Sequence, residues 1–283
     1  MIRVAIQGEK GCFHEVAAQQ YFEGSEFEVV ACPTFDSEID AVLSGRADNA
    51  FMAIENARTG TILYNYSLLR ESGLKIIGEH NLRVQQNLMA LPGQGIDNIR
   101  EIWSHPVALS QCQAFLNGFP HIKLIEKDDT AGSARYISEH SLMGVAAIGP
   151  ELAARLYGLE ILKSGVETNK LNYTRFMVLS KELAPAEGMN MASLCFSLPH
   201  QPGSLASLLV LLARHNVSLT KIQSVPRIIK EWEYLFYLDL EFSEGSSIDQ
   251  IISLVEDHTS DFELLGIYRK RNLIHESVVT TAL

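Results

Sequence analysis

Asn172-Tyr173-Thr174-Arg175-Phe176-Met177-Val178-Leu179-Ser180 is the stretch on which the architecture turns. Its apolar run, Phe176 to Leu179, reads as a buried strand. A hydroxyl, a guanidinium and an aromatic ring stand at the mouth of that strand, which reads as a site or, equally, as two ordinary β formers flanking a surface charge. Upstream, Lys75–Leu82 and Asn87–Leu91 read as two strands with no helix between them, as where a chain crosses from one lobe into another. Arg175–Ser180 is then the return strand. Residues 1–181 become two α/β lobes around a cleft, lobe 1 about residues 1–78 and 165–181, lobe 2 about 79–164.

The rest of this region alternates apolar runs with helical patterns. Further strands are expected at Arg3–Gln7, Phe27–Cys32, Ala50–Ile54, Glu101–Ser104, Lys123–Glu126 and Val145–Ile148. Helices are expected at Phe13–Phe22, Phe35–Ser44, Thr61–Ser72, Pro106–Asn117, Thr130–Glu139 and Pro150–Tyr157. Near-continuous apolar strands alternating with helices argue for mostly parallel sheets covered on both faces. Residues 182–191 read as a linker. Beyond it come a strand (Ala192–Ser197), a helix (Ser204–His215), two strands (Val217–Ser224, Tyr234–Phe242), a helix (Ser247–His258) and a last strand (Phe262–Tyr268). That is the ferredoxin-like βαββαβ order, over residues 192–270. The tail, 271–283, shows no pattern.

Composition narrows the function. The chain has 283 residues, 47% apolar and 20% charged, with net charge −11. These are globular values. No basic run of five exists, which argues against nucleic acid and anionic membrane as partners. The longest wholly apolar run, Leu208 to Ala213, is too short to span a bilayer. Met1-Ile2-Arg3-Val4-Ala5-Ile6 reads as a first strand, not a signal peptide. Cys12, Cys32, Cys112 and Cys195 show no C-x-x-C pairing, so reduced thiols and a cytoplasmic setting are expected. No His/Cys cluster has metal spacing; neither metal nor cofactor is expected.

In open α/β sheets, ligands bind beyond the carboxyl ends of the strands. Four such ends carry small or polar residues: Gly8-Glu9-Lys10-Gly11, Glu55-Asn56, Ser104-His105-Pro106 with Gln111 beyond, and Asp128-Asp129-Thr130 with Ala131-Gly132-Ser133. Several lead into helix N-termini, whose free N–H groups bind carboxylates without a net positive charge. Gly8-x-x-Gly11 reads equally as a tight turn, and Thr130 and Ser104 equally as helix caps. On a regular strand Thr174 and Phe176 share one face and Arg175 takes the other. Thr174 is the one expected to point into the cleft.

Together these segments resemble the prephenate dehydratase family with a C-terminal ACT regulatory domain. The resemblance is carried by Ile6–Gly11, Ile54-Glu55-Asn56, Ser104–Cys112, Asp129–Ala134 and Asn172–Phe176, then by His200–Leu205 and Leu219–Ser224. It implies a two-lobed fold like type II periplasmic binding proteins, with the ferredoxin-like domain following. It implies conversion of prephenate to phenylpyruvate, water and carbon dioxide, on the route to phenylalanine. Thr174 would be the catalytic hydroxyl, with Asn56 and Gln111 beside it. Glu55, Ser104, Thr130, Gly132, Ser133, Arg175 and Phe176 would bind or support the substrate.

Phenylalanine, as effector, would bind through Gly203, Ser204, Leu205, Gln223 and Ser224, and the chain would form a homodimer or homotetramer. Two departures stand out. Ala57 replaces the family's usual Ser, and Gln223-Ser224-Val225-Pro226 replaces Glu-Ser-Arg-Pro. Two other readings remain: an arogenate dehydratase, whose substrate carries an amine where prephenate has a keto group, and a two-lobed sensor without catalysis.

Overall fold

The computed structural model describes residues 1–183, 188–226, 233–243 and 247–271. Part of the expected linker (184–187) and nearly all of the tail (272–283) lie outside the described residues. The chain divides into two units, one of residues 1–74 and 82–181, the other of 75–81 and 182–283.

The elements run in chain order as β1 (Ile2–Gln7), α1 (Phe13–Tyr21), β2 (Phe27–Cys32), α2 (Phe35–Leu43), β3 (Asn49–Asn56), β4 (Gly60–Thr61), α3 (Leu63–Ser72), β5 (Lys75–Arg83), β6 (Asn87–Ala90), β7 (Glu101–Ser104), α4 (Pro106–Gln111), α5 (Gln113–Leu116), β8 (Lys123–Glu126), α6 (Thr130–Glu139), β9 (Val145–Gly149), α7 (Glu151–Tyr157), β10 (Glu160–Lys163) and β11 (Tyr173–Ser180). They continue with β12 (Met191–Ser197), α8 (Ser204–Arg214), β13 (Ser218–Pro226), β14 (Tyr234–Glu241), α9 (Ile248–Asp257) and β15 (Ser260–Tyr268).

The first unit holds two sheets. In one, β1 pairs parallel with β2 and β3, and β11 returns antiparallel beside β3. The other runs β10-β6-β9-β7-β8, with β7 parallel to β8 and β9 and with β6 and β10 antiparallel. The sheets are therefore mixed rather than mostly parallel. A right-handed strand-helix-strand crossover forces parallel neighbours. β6 and β11 are entered without such a helix, so they run back against their neighbours. β3 and β11 are apolar because the core closes over them: Ala50 to Ile54 and Phe176 to Leu179 are buried. A second core, around Leu88, Ile102, Leu109, Ala146 and Ile148, fills the other lobe.

One helix breaks where the sequence predicts continuity. Pro106–Asn117 is split at Cys112, whose φ of −103° and ψ of 12° leave the helical region. Thr168 is the cause. Its N–H donates to the Gln111 carbonyl (2.8 Å), and its Oγ1 accepts from the Ala114 N–H (3.2 Å). Both groups would otherwise serve the helix's own ladder. Likewise α3 starts at Leu63 rather than Thr61, because Gly60 and Thr61 pair with Asn56 and Glu55.

In the second unit β13-β14-β12-β15 form an antiparallel sheet, with α8 and α9 supplying Leu208, Leu212, Ile251 and Val255 to its core. This is the ferredoxin-like order. Lys75–Asn81 also belongs to this unit: Ile76 bridges Gly266 in parallel, and Lys75 Nζ donates to the Leu264 carbonyl (2.9 Å). A Cβ at Gly266 would stand 2.2 Å from the Ile76 carbonyl oxygen, so only glycine permits that approach.

Candidate active site

The strand ends of the first unit meet around a cavity of about 670 Å3. Asn56 and Thr174 sit side by side on β3 and β11, because the register places them directly opposite. Asn56 Nδ2 donates to Thr174 Oγ1 (2.9 Å), to Asn172 Oδ1 (3.0 Å) and to the Tyr173 carbonyl (3.2 Å). Its Oδ1 accepts from the backbone N–H groups of Arg58 (3.0 Å) and Thr59 (3.1 Å). Two backbone donors on one end fix which end is oxygen, so the NH2 must face Thr174. A hydroxyl has one proton. With one of its lone pairs taken by the Asn56 NH2, Thr174 is left to donate that proton into the cavity.

Thr174 and Phe176 both line the cavity, and Arg175 does not. The β3–β11 register shifts between Arg175, opposite Glu55, and Phe176, opposite Ala53. The extra residue, Ile54, lies on β3, so β11 keeps its own alternation. Phe176 is buried against Phe51 (centroids 5.3 Å apart) and meets the edge of the His14 ring (5.0 Å, 82°).

His14 is a cavity residue that the sequence reading missed. Its Nε2 is buried without a partner, and burial pulls its pKa down to about 4, so the ring is neutral near pH 7. The only signal was its place at the start of α1, just past Gly11. Cys12 also lines the cavity, yet burial pushes its thiol up to about 12, with Asp129 adding to the rise. It is no nucleophile near neutral pH.

Gln111 reaches the cavity where Thr168 ends α4. Its Oε1 accepts from Gln86 Nε2 (3.2 Å). Gln86, which the sequence reading also missed, lines the cavity on the chain's crossing between lobes.

The remaining candidates divide. Thr130 lines the cavity, whereas Glu55, Ser104, Gly132 and Ser133 do not. The Ser104 hydroxyl is buried and donates to the Ile148 carbonyl (2.7 Å), tying β7 to β9. Gly132 N–H donates to Asp129 Oδ1 (2.6 Å) and the Ser133 hydroxyl to the Asp129 carbonyl (2.7 Å). Both therefore organise the start of α6. Burial holds the Asp129 carboxyl above its usual range, with the Gly132 N–H opposing.

At two of the turns expected to hold an anion, one backbone donor is thus already served by the chain itself. Asp129 takes the Gly132 N–H, and Glu15 Oε2 takes the Gly11 N–H (2.7 Å). The Gly8–Gly11 turn instead bridges the lobes. Glu9 Oε1 meets Arg135 Nη2 (3.0 Å), the Tyr157 hydroxyl donates to the Lys10 carbonyl (2.7 Å), and a Cβ on Gly11 would lie 3.1 Å from Ala153 Cα. Among the described residues no cluster of three or more His, Cys, Asp or Glu could hold a metal, and no helix is long and apolar enough to cross a membrane.

In the second unit a cleft of about 110 Å3 is lined by Leu198, His200, Gln201, Ser204, Leu205, Tyr234 and Phe236, among others. Gly203, at φ +92°, sets the turn into α8. Gln223 and Ser224 are not part of that lining; Gln223 Nε2 donates to the Ser224 carbonyl (2.9 Å).

A family model described as prephenate dehydratase matches residues 4–184. The arogenate dehydratase/prephenate dehydratase 2 of Arabidopsis thaliana is 35% identical, over 94% of this chain and 72% of its own length. The solved structure of GqqA, described as a novel type of quorum quenching acylase, is similar at TM-score 0.85 and 32% identity, over 95% of this chain and 98% of that one. The prephenate dehydratase of Arthrobacter aurescens, solved in complex with L-Phe, is similar at TM-score 0.84 and 25% identity, over 95% and 90%. With a family model matching residues 4–184 and a relative 35% identical over 94% of this chain, the chain belongs to the prephenate dehydratase family.

Proposed function

We propose that the chain catalyses the decarboxylating dehydration of prephenate, with Thr174 hydrogen-bonding the departing oxygen. The ring carbon–carboxylate bond breaks, its electron pair enters the ring, and the hydroxyl leaves as hydroxide, which takes one proton from solvent to become water. The products are phenylpyruvate, water and carbon dioxide. The same atoms react in arogenate, where an ammonium replaces the side-chain keto group and the product is phenylalanine. Aromatisation supplies the driving force, so orientation and help to the leaving hydroxide are what the protein must add.

The observation that carries this reading is the Asn56 Nδ2–Thr174 Oγ1 bond of 2.9 Å, which frees the Thr174 proton for the cavity. One preorganised donor is worth about 10²–10³ in rate. Gln111 offers its amide nitrogen, Thr130 its hydroxyl and Phe176 an apolar wall to the ring. The Thr174→Ala variant is expected to lose about 10²–10³ in kcat on prephenate; wild-type-like turnover by the folded variant would remove Thr174 from the mechanism.

The second unit has the strand order of an ACT domain, and its cleft at Ser204 and Leu205 suits an amino-acid effector. We assign it phenylalanine, the ligand named for the Arthrobacter aurescens structure. The chain is expected to act as a cytoplasmic homodimer or homotetramer, which sedimentation would test. A second reading has one observation in its favour, the 32% identity to the quorum-quenching acylase over nearly the whole chain. Amide hydrolysis of acylated substrates, with no turnover of prephenate or arogenate, would favour it.

A further inference from the structure

Gln86 is pinned from both sides. Its N–H donates to Glu167 Oε2 (2.9 Å) and its carbonyl accepts from the Val166 N–H (2.8 Å). Glu167 is itself buried and held by Lys170 (3.3 Å). The side chain is 2% exposed, lines the cavity and gives its Nε2 to Gln111. Its Oε1 is left buried with no hydrogen-bond partner.

A buried acceptor without a donor is costly, and proteins rarely leave one unpaired. A ligand that brings a donor relieves that cost. Prephenate and arogenate share the ring hydroxyl and both carboxylates; where they differ, the keto group of prephenate brings only lone pairs. An ammonium brings three N–H donors and a charge, which strengthens the bond.

The wall of the cavity agrees. Among the described residues that line it, Asp36, Asp128 and Asp129 are acidic and none is Lys or Arg. Asp129 takes the Gly132 N–H at the start of α6, and Glu15 takes the Gly11 N–H just before α1. This field suits a substrate bearing a cation better than a bare dianion.

We infer that Gln86 is a specificity-determining residue whose side-chain carbonyl accepts a hydrogen bond from the substrate's ammonium, so that the cavity takes the aminated substrate, arogenate, ahead of prephenate. The inference rests on the dehydratase reading above. Gln86 and Gln111 can reverse their amides together, which would turn a donor to the cavity and favour the keto substrate. The variants below separate the two arrangements.

The test is kcat/KM for arogenate and for prephenate in the wild type, Gln86→Leu and Gln86→Glu. The wild type is expected to favour arogenate. Gln86→Leu should lose about 10–100-fold on arogenate, the scale of one charge-assisted bond, and much less on prephenate. Gln86→Glu, which offers only acceptors, should keep arogenate turnover and raise the arogenate-to-prephenate ratio. A wild type that prefers prephenate, equal losses on both substrates in Gln86→Leu, or loss of arogenate turnover in Gln86→Glu would overturn the inference. Turnover of neither substrate by the wild type would overturn the dehydratase reading itself; turnover of prephenate alone keeps that reading and removes only this inference.

Discussion

Asn56→Asp changes one atom's chemistry and almost nothing of its shape. The substituted side chain keeps an oxygen for the Arg58 and Thr59 N–H groups, now 3.0 and 3.1 Å from Asn56 Oδ1. It presents a second oxygen to Thr174 Oγ1, where an NH2 stood at 2.9 Å. The hydroxyl must then donate to the carboxylate, and its proton turns away from the cavity. Folding should survive. The neighbouring Asn172 Nδ2 is buried with no partner, so reversing that amide gives the carboxylate a donor in place of the lost acceptor contact. The second oxygen also faces the Tyr173 carbonyl, which Asn56 Nδ2 serves at 3.2 Å, so the stability cost is on the scale of two hydrogen bonds, about 1–3 kcal/mol.

The rate cost is larger. Losing one preorganised donor costs about 10²–10³ in kcat, or about 2.7–4 kcal/mol at 1.36 kcal/mol per decade. Steady-state turnover with arogenate or prephenate, alongside thermal unfolding, reads both quantities. Because Asn56 is argued to act through Thr174, its effect should vanish in a Thr174→Ala background, where the double variant should match the single one. A folded Asn56→Asp enzyme with kcat within about threefold of wild type, set against that expected loss, would refute this account. Additive losses in the double variant would also refute it.

The other expectations concern regulation and stability. Phenylalanine should lower activity, and Leu205→Trp, which fills the small cleft beside Ser204, should raise the half-inhibitory concentration at least about tenfold, or 1.4 kcal/mol; unchanged inhibition would place the effector elsewhere. Glu38, fully buried on α2, has its carboxyl raised well above the usual range by burial. A carboxyl whose folded pKa exceeds its unfolded one contributes stability that is complete below the unfolded pKa and is lost as pH rises. Glu38 should therefore lower the melting temperature as pH rises above about 5, opposed below about pH 6.5 by buried, neutral His14, and Glu38→Gln should lift the high-pH side by about 2–4 °C per kcal/mol recovered. Parallel pH profiles for the two proteins would show that Glu38 is not the group responsible.

Period and punctuation made much of the molecule legible. Alternation along Thr174-Arg175-Phe176 told which side chains face the cavity, because a strand's two faces are set by the backbone alone. The four polar strand ends and the βαββαβ order of the second unit were equally visible in the chain. What the sequence could not carry was anything that depends on a partner distant along it. The Asn56–Thr174 bond exists because β3 and β11, 118 residues apart at that pair, align in one register. The break in the helix after Gln111 comes from Thr168, and the mixed direction of the sheets from the two crossings between lobes. Asp129 and Glu15 each take a backbone donor that looks open in the sequence. Gln86 and His14 show their importance only as buried polar atoms without partners. Local propensity writes faces and ends into the sequence; satisfaction of a buried hydrogen bond is a property of the folded neighbourhood, and only the tertiary structure decides it.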